Sequence, residues 1–243
     1  MLKVLPIFKH MLMIVACLTV TPVVQAAISL DRTRAIFNGG EKTMSLNISN
    51  DNNQLPYLAQ AWIENEKHEK ITTGPIVVTP PVQRLEPGEK SMVRLSSTPE
   101  INKLPQDRES IFYFNLREIP PKSEKANVLQ IALQTKIKLF YRPDSIKTKP
   151  NAVWQDQLVL TKTSGGYTID NPTPYYVTVI GLGGSKKEAE EGEFEPVMLA
   201  PKSSKTVKSG SYSTPYLSYI NDHGGRPVLQ FTCSGDRCTA VKK

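Results

Sequence analysis

The groups in this chain that could act as nucleophiles, bases or metal ligands are few: Cys17, Cys233 and Cys238, with His10, His68 and His223. Cys233 and Cys238 enclose four residues, Ser-Gly-Asp-Arg. Two thiols this close read as a disulfide across a tight turn in a secreted chain, or as half of a zinc site. Zinc requires four ligands, and no second Cys or His cluster supplies the missing pair. The disulfide is therefore the expectation. A short loop constrains the unfolded chain less than a long one, so the bridge should be a local clip near the C-terminus. His68 and His223 sit in no catalytic motif and read as surface histidines. No G-x-S-x-G elbow, no H-E-x-x-H and no convincing carboxylate pair occurs. The chain is expected not to be an enzyme and to need no cofactor or metal.

The N-terminus bears on whether those thiols can oxidise. Residues 1–10 hold Lys3 and Lys9 without an acid, residues 11–20 read MLMIVACLTV, and the stretch ends in Val24-Gln25-Ala26, with compact residues where a signal peptidase reads. This predicts a cleaved signal peptide over residues 1–26. A rival exists in Ile14-Val15-Ala16-Cys17, which resembles a lipobox and would make Cys17 a lipid-bearing N-terminus. Its apolar core would be only Met11 to Ala16, shorter than the roughly 7–15 residues of a signal h-region. Cleavage after Ala26 leaves 217 residues, lowers the formal charge from +7 to +5, and removes Cys17 and His10.

What remains is large enough for a real core, and 39% hydrophobic residues argue against disorder. No later run approaches the roughly 18 apolar residues of a membrane-spanning helix, so a soluble chain without membrane insertion is expected. Nucleic-acid binding has only the basic charge in its favour, weak support for a secreted protein.

The elements that would position any site are short alternating runs separated by Gly, Pro, Asn and Asp. Met44-Ser45-Leu46-Asn47-Ile48 alternates, Ser49 to Gln54 turns, and Leu55 to Ile63 follows; Leu85 to Lys90 turns into Ser91-Met92-Val93-Arg94-Leu95. That rhythm is the signature of an all-β sandwich, with the 19 prolines fitted to turns and edges. Only Lys186–Glu195 looks helical or loop-like, and its charges suggest a solvated surface. Prolines bracket a polar stretch from Arg142 to Pro150. A domain boundary there gives a first domain over 27–146 and a second over 147–243, each near the size of a seven-stranded sandwich. The halves echo one another: Ile48-Ser49-Asn50 to Pro56-Tyr57 matches Ile169-Asp170-Asn171 to Pro174-Tyr175, and each precedes a Leu-x-Pro turn, at Leu85 and at Leu199.

One run is harder to explain as core. From 129 to 141 the odd positions are Leu, Ile, Leu, Thr, Ile, Leu, Tyr, against even positions Gln, Ala, Gln, Lys, Lys, Phe, Arg. Alternation this long predicts a single strand over 127–142, about twice the usual length. It could be an ordinary half-buried strand. It could also expose an edge, which proteins normally suppress with proline, charge or bulges, yet Leu129 to Leu133 holds neither proline nor charge. Such an edge is suited to binding by strand addition.

Ala27-Ile-Ser-Leu-Asp-Arg-Thr-Arg34, Phe112-Tyr-Phe-Asn-Leu-Arg-Glu-Ile-Pro-Pro121, Thr135-Lys-Ile-Lys-Leu-Phe-Tyr-Arg-Pro143 and Asn171-Pro-Thr-Pro-Tyr-Tyr176 closely resemble periplasmic pilus chaperones, and the likeness runs through the whole mature chain. The resemblance implies two immunoglobulin-like β-sandwich domains arranged as a boomerang, whose cleft holds a pilin lacking its last strand. Leu129, Ile131 and Leu133 would be the side chains of the donated strand, and Arg34 and Lys138 the cations that bind the pilin's C-terminal carboxylate. Glu109, Arg142 and Asp222 match charges that link the domains. The implied location is the periplasm and the implied partners are pilins, a tip adhesin among them, and an outer-membrane usher, with self-association of the free form as a further expectation. The short connection from Pro120-Pro121 to Leu129 resembles chaperones serving rod-like pili. Lys138 has even parity and the donated residues odd, so strict alternation sets them on opposite faces. From the residues alone, a secreted adhesion or carbohydrate-binding sandwich explains the β texture equally well.

Overall fold

The computed structural model describes residues 26–124 and 127–242, so the signal peptide predicted for 1–26 lies outside the described residues except for Ala26. Alternation becomes structure directly. In β3 (Thr43–Asn50) and β8 (Lys90–Ser97), apolar residues on one face are buried and polar ones on the other are exposed. These strands pair with each other and with β1 (Ile28–Leu30) and β6 (Ile76–Thr79) in a four-stranded sheet ordered β1-β3-β8-β6. The facing sheet runs β2 (Arg34–Asn38), β10 (Gln134–Arg142), β9 (Ser110–Ile119), β4 (Tyr57–Glu64) and β5 (Lys70–Ile71), with β7 (Val82–Leu85) also on β4. Phe37, Leu46, Leu95, Phe114 and Leu139 fill the space between them.

The second sandwich is assembled from β11 (Val159–Thr163), β12 (Gly166–Asn171), β13 (Val177–Gly183), β14 (Val197–Leu199), β15 (Ser203–Lys208), β16 (Tyr216–Ile220), β17 (Val228–Ser234) and β18 (Arg237–Ala240), ordered β14-β13-β16-β17-β18-β11-β12-β15. β17 serves both of its layers, pairing with β16 through Val228–Gln230 and with β18 through Phe231–Ser234. Its core centres on Leu160, Tyr167, Ile169, Leu217 and Phe231. The charged segment after β13 forms α1 (Lys186–Glu191), capped by Ser185 Oγ accepting from Glu188 N at 3.2 Å. It is docked as well as solvated: Ala189 is buried, and a Cβ at Gly181 would meet the Ala189 carbonyl oxygen at 1.8 Å.

The echo between the halves has a physical basis. Asn50 and Asn171 are both fully buried at the end of a strand. Asn50 Nδ2 donates to the carbonyls of Leu55, Leu85 and Glu86. Asn171 Nδ2 donates to those of Tyr175 and Ala200. Each asparagine thus ties the start of the next connection to the Leu-x-Pro turn, satisfying carbonyls that the prolines leave outside any ladder.

Cys233 and Cys238 face each other across the β17–β18 hairpin and are joined by a disulfide. Gly235 turns it with φ +61°, a conformation glycine adopts at no steric cost. Cross-linking so small a loop contributes on the order of 2 kcal/mol by the loop-entropy relation. Reduction should therefore lower the melting temperature of the second domain by roughly 8–16 °C and leave it folded. A thermal scan with and without reductant checks this; loss of all structure at 37 °C would show the bridge to be essential.

Candidate functional site

The alternation over 127–142 predicts one continuous strand, but β10 begins only at Gln134. The reason lies in its partner. β9 and β10 are antiparallel in the register Gln134↔Arg117, and Glu118 N still donates to Leu133 O at 3.0 Å. Continuing that register sets Ile131 and Gln130 opposite Pro120 and Pro121, which have no N–H to give. The ladder stops there, leaving Leu129, Ile131 and Leu133 86%, 64% and 38% exposed. They are three consecutive odd-position apolar side chains in water, with no proline or charge among them.

The opposite edge of β10 is also open at its start. β2 runs parallel to it but joins only at Lys138↔Arg34. Over 134–137 no strand among the described residues covers that side. A lane one strand wide therefore runs beside residues 134–137 and ends against Arg34 and Lys138.

These two cations are held in a way that suits an anion. Lys138 is half-buried, and its Nζ donates to Thr178 Oγ1 of β13 at 3.2 Å. Burial first, and then the Arg34 charge, hold its pKa below the ordinary lysine value. Arg34 is depressed by burial and partly restored by Asp222; its Nε is buried and hydrogen-bonded to none of the described residues. Two like charges with unused donors form a poor arrangement alone and a good one around a carboxylate.

The parity of Lys138 is resolved by the second domain. The β9–β10 register carries no bulge. Odd residues Ile137, Leu139 and Tyr141 point into the first core. Even residues 138, 140 and 142 point the other way, yet Phe140 and Arg142 are buried, because the second domain covers that face. Phe140 meets Tyr176 with ring centroids 5.5 Å apart.

Arg142 is the centre of this contact. Its Nε donates to Glu109 Oε1 at 2.8 Å, and its Nη1 and Nη2 donate to Asp222 at 2.7 and 3.1 Å. Glu109 Oε2 accepts from Tyr176 N at 2.8 Å. Burial pushes Glu109 up to about 7, while Arg142 and the Tyr176 amide pull it back. The guanidinium also lies over the rings of Trp154 (4.9 Å) and Tyr175 (5.1 Å), and Nη1 reaches Thr148 Oγ1 at 3.2 Å. A second link is Lys202 Nζ to Asp107 Oδ2 at 2.7 Å. A cavity of about 570 Å³ between the domains is lined by Arg34, Arg142, Trp154, Tyr219 and Asp222; Lys138 lies outside its lining.

The residues that the resemblance assigned to pilin binding or to the domain link thus lie on β10, on its approach or against it; the disulfide is remote, and Cys17 and His10 lie outside the described residues. Sequence reasoning missed Thr178, Trp154 and Thr148, whose types carry no signal, and Tyr175 and Tyr176, which lay within a quoted motif without a role. Of the two histidines, His223 is near the interdomain cavity and His68 stacks on Tyr113 at 4.2 Å. Among the described residues no group of three or more His, Cys, Asp or Glu is placed to hold a metal, and no helix is long and apolar enough to cross a membrane.

Comparison with known proteins gives this arrangement a family. Residues 27–147 match the N-terminal domain, and 153–231 the C-terminal domain, of the pili assembly chaperone PapD family, described as pili and flagellar-assembly chaperones. The chain is 74% identical over 235 residues to the chaperone protein PapD of Escherichia coli, covering 97% of this chain and 98% of that one. Among solved structures it resembles the periplasmic chaperone SfaE (31% identity, TM-score 0.67, 85% of this chain and 100% of that one). It also resembles the Salmonella enterica SafB chaperone, solved in complex with SafA pilin (26%, TM-score 0.72, 86% and 98%). With two immunoglobulin-like sandwiches and near full-length identity, the chain belongs to the PapD family of pilus-assembly chaperones, which are not enzymes.

Proposed function

We propose that this protein is a periplasmic chaperone, exported through a signal peptide cleaved after Ala26, that folds pilin subunits by lending them a strand and delivers them to an outer-membrane usher. The observation that carries the reading is the juxtaposition at β10. Three alternating apolar side chains stand exposed at Leu129, Ile131 and Leu133, and they lead into an open edge that ends at two underused cations. A pilin segment added in that lane gains main-chain hydrogen bonds along β10, while the three side chains fill its groove. If it runs parallel to β10, its last residue ends against Arg34 and Lys138. The carboxylate then sits at the end of the lane and not on the donor face, so the opposite parities of Lys138 and the donated residues cease to conflict. Glu109, Arg142 and Asp222 would fix the angle between domains 27–146 and 147–243; the hydrophobic clusters, one ending at Tyr141 and the other beginning at Trp154, support that division. A pilin solved with the related SafB chaperone supports pilins as the partners, and a tip adhesin among them is what the resemblance implies. The exposed edge gives the free form a reason to self-associate.

Recovery of the tagged protein from periplasm, with mass spectrometry of what accompanies it, tests the function: pilins are expected, and glycan binding with no pilin would favour an adhesion module. The donor assignment has its own test. Ile131→Asp should abolish pilin recovery and shift the melting temperature by no more than about 2 °C, since a substitution at an exposed position usually costs within ±0.5 kcal/mol. A collapse of thermal stability would show Ile131 to be ordinary core.

A further inference from the structure

We propose that Glu118 is the built-in receptor for the α-ammonium group of the mature chain, a clamp that becomes fully engaged only after removal of the leader; the proposal rests on cleavage between Ala26 and Ala27. Glu118 lies near the end of β9 with its side chain on the core side, 6% exposed. Its Oε2 accepts from Ala27 N at 2.7 Å and Ile28 N at 2.9 Å. Ala27 is held from its other end as well, its carbonyl accepting from Asp51 N at 2.7 Å.

A carboxylate is an unexpected choice for this position. A buried charge is costly unless paired, and among the described residues Glu118 makes no ion pair with any lysine, arginine or histidine. The strands flanking it contribute Ala59, its register partner on β4, and Leu133, to whose carbonyl its own amide donates. Across the sandwich, Ile28 of β1 pairs with Asn50. The charged residue next along, Asp51, turns its carboxylate to Ser49 Oγ. If two backbone amides were all it had to serve, a neutral glutamine would do so without the desolvation cost.

Hydrolysis of the Ala26–Ala27 bond supplies the missing cation. Water adds its hydroxyl to the Ala26 acyl carbon, the C–N bond breaks, and the released Ala27 amine takes up a proton at neutral pH. The nitrogen 2.7 Å from Oε2 then changes from an amide into an ammonium, and a bond in which only the carboxylate is charged becomes a hydrogen-bonded ion pair. The ammonium also keeps three protons where the amide had one. Processing would thus stabilise the first sandwich at the point where β1 joins the β9 end of the facing sheet, close to Leu133.

The test compares purified chains beginning at Ala27 and at Gln25, in the native sequence and with Glu118→Gln, together with N-terminal sequencing of the exported protein. The native chain beginning at Ala27 is expected to melt about 3–6 °C above the one beginning at Gln25, with the difference abolished by Glu118→Gln. Equal melting temperatures in the native pair, or an undiminished difference with Glu118→Gln, would overturn the clamp. An exported protein that starts elsewhere would overturn the cleavage site and the clamp's place in maturation, while the purified pair would still report on the ammonium contact itself.

Discussion

Lys138→Glu is expected to yield a folded protein that recovers no pilin. In the free protein Lys138 and Arg34 repel one another, and each is partly stripped of water. A lysine whose folded pKa is lowered destabilises the native state at neutral pH, and the penalty is relieved only as pH rises through that folded value. The introduced carboxylate would lie opposite Arg34 in the β2–β10 register and replace repulsion with attraction, so thermal stability should hold or rise. Binding responds in the opposite sense. The subunit's terminal carboxylate would lose one charge-assisted bond, a loss of about 1.5–3 kcal/mol, and would meet a like charge in a half-buried site. Together these correspond to at least a hundredfold weaker binding. Co-purification from periplasm and a thermal scan check the two halves. Undiminished recovery of pilin would remove Lys138 from the anchor, and a large fall in melting temperature would make its role structural.

Such a site is visible to sequence only through resemblance. Arg34 and Lys138 are ordinary surface residue types, separated by over a hundred positions, and nothing in their local spacing brings them together. Strand parity, by contrast, was legible. The odd face of β10 is core from Ile137 onward, and the paired asparagines at 50 and 171 had left a trace in the Asn-to-Pro-Tyr echo. The start of β10 was not legible from its own alternation, because the interruption comes from Pro120 and Pro121 on the neighbouring strand. A long-range register must be known before those prolines can be set against Ile131 and Gln130. The burial of the even residues 140 and 142 required a second domain on that face, and the carboxylates that hold Arg142 come from 33 and 80 residues away. Glu118 carried no signal because its partner is the main chain at residues 27 and 28.

Arg142→Ala is expected to be the most destabilising single change at this site and to loosen one domain from the other. Arg142 is 4% exposed and bonds carboxylates on both sides of the boundary, Glu109 immediately before β9 and Asp222 beyond β16. Removing one member of a buried ion pair typically costs about 3–5 kcal/mol, because the charge left behind has neither water nor partner. Here that charge is Glu109, already raised to about 7 by burial. For an acid whose folded pKa is raised, the stabilising contribution is present below the unfolded value and lost as pH climbs through the folded one. Without Arg142 the folded pKa climbs further, so the variant should be hurt more at pH 8 than at pH 5. The stacks on Trp154 and Tyr175 are lost at either pH. Arg142→Lys should rescue little, since a single ammonium cannot reproduce a fork that bonds two carboxylates and lies flat on two rings. Calorimetry at both pH values should show a lower transition that separates into two as the domains uncouple. Pilin recovery should fall although Arg34, Lys138 and the donor segment are untouched, because Thr178, which holds Lys138 Nζ, moves with the second domain. A single unshifted transition, the same at pH 5 and pH 8, would mean that the domain angle is set elsewhere, with Lys202–Asp107 the next contact to break.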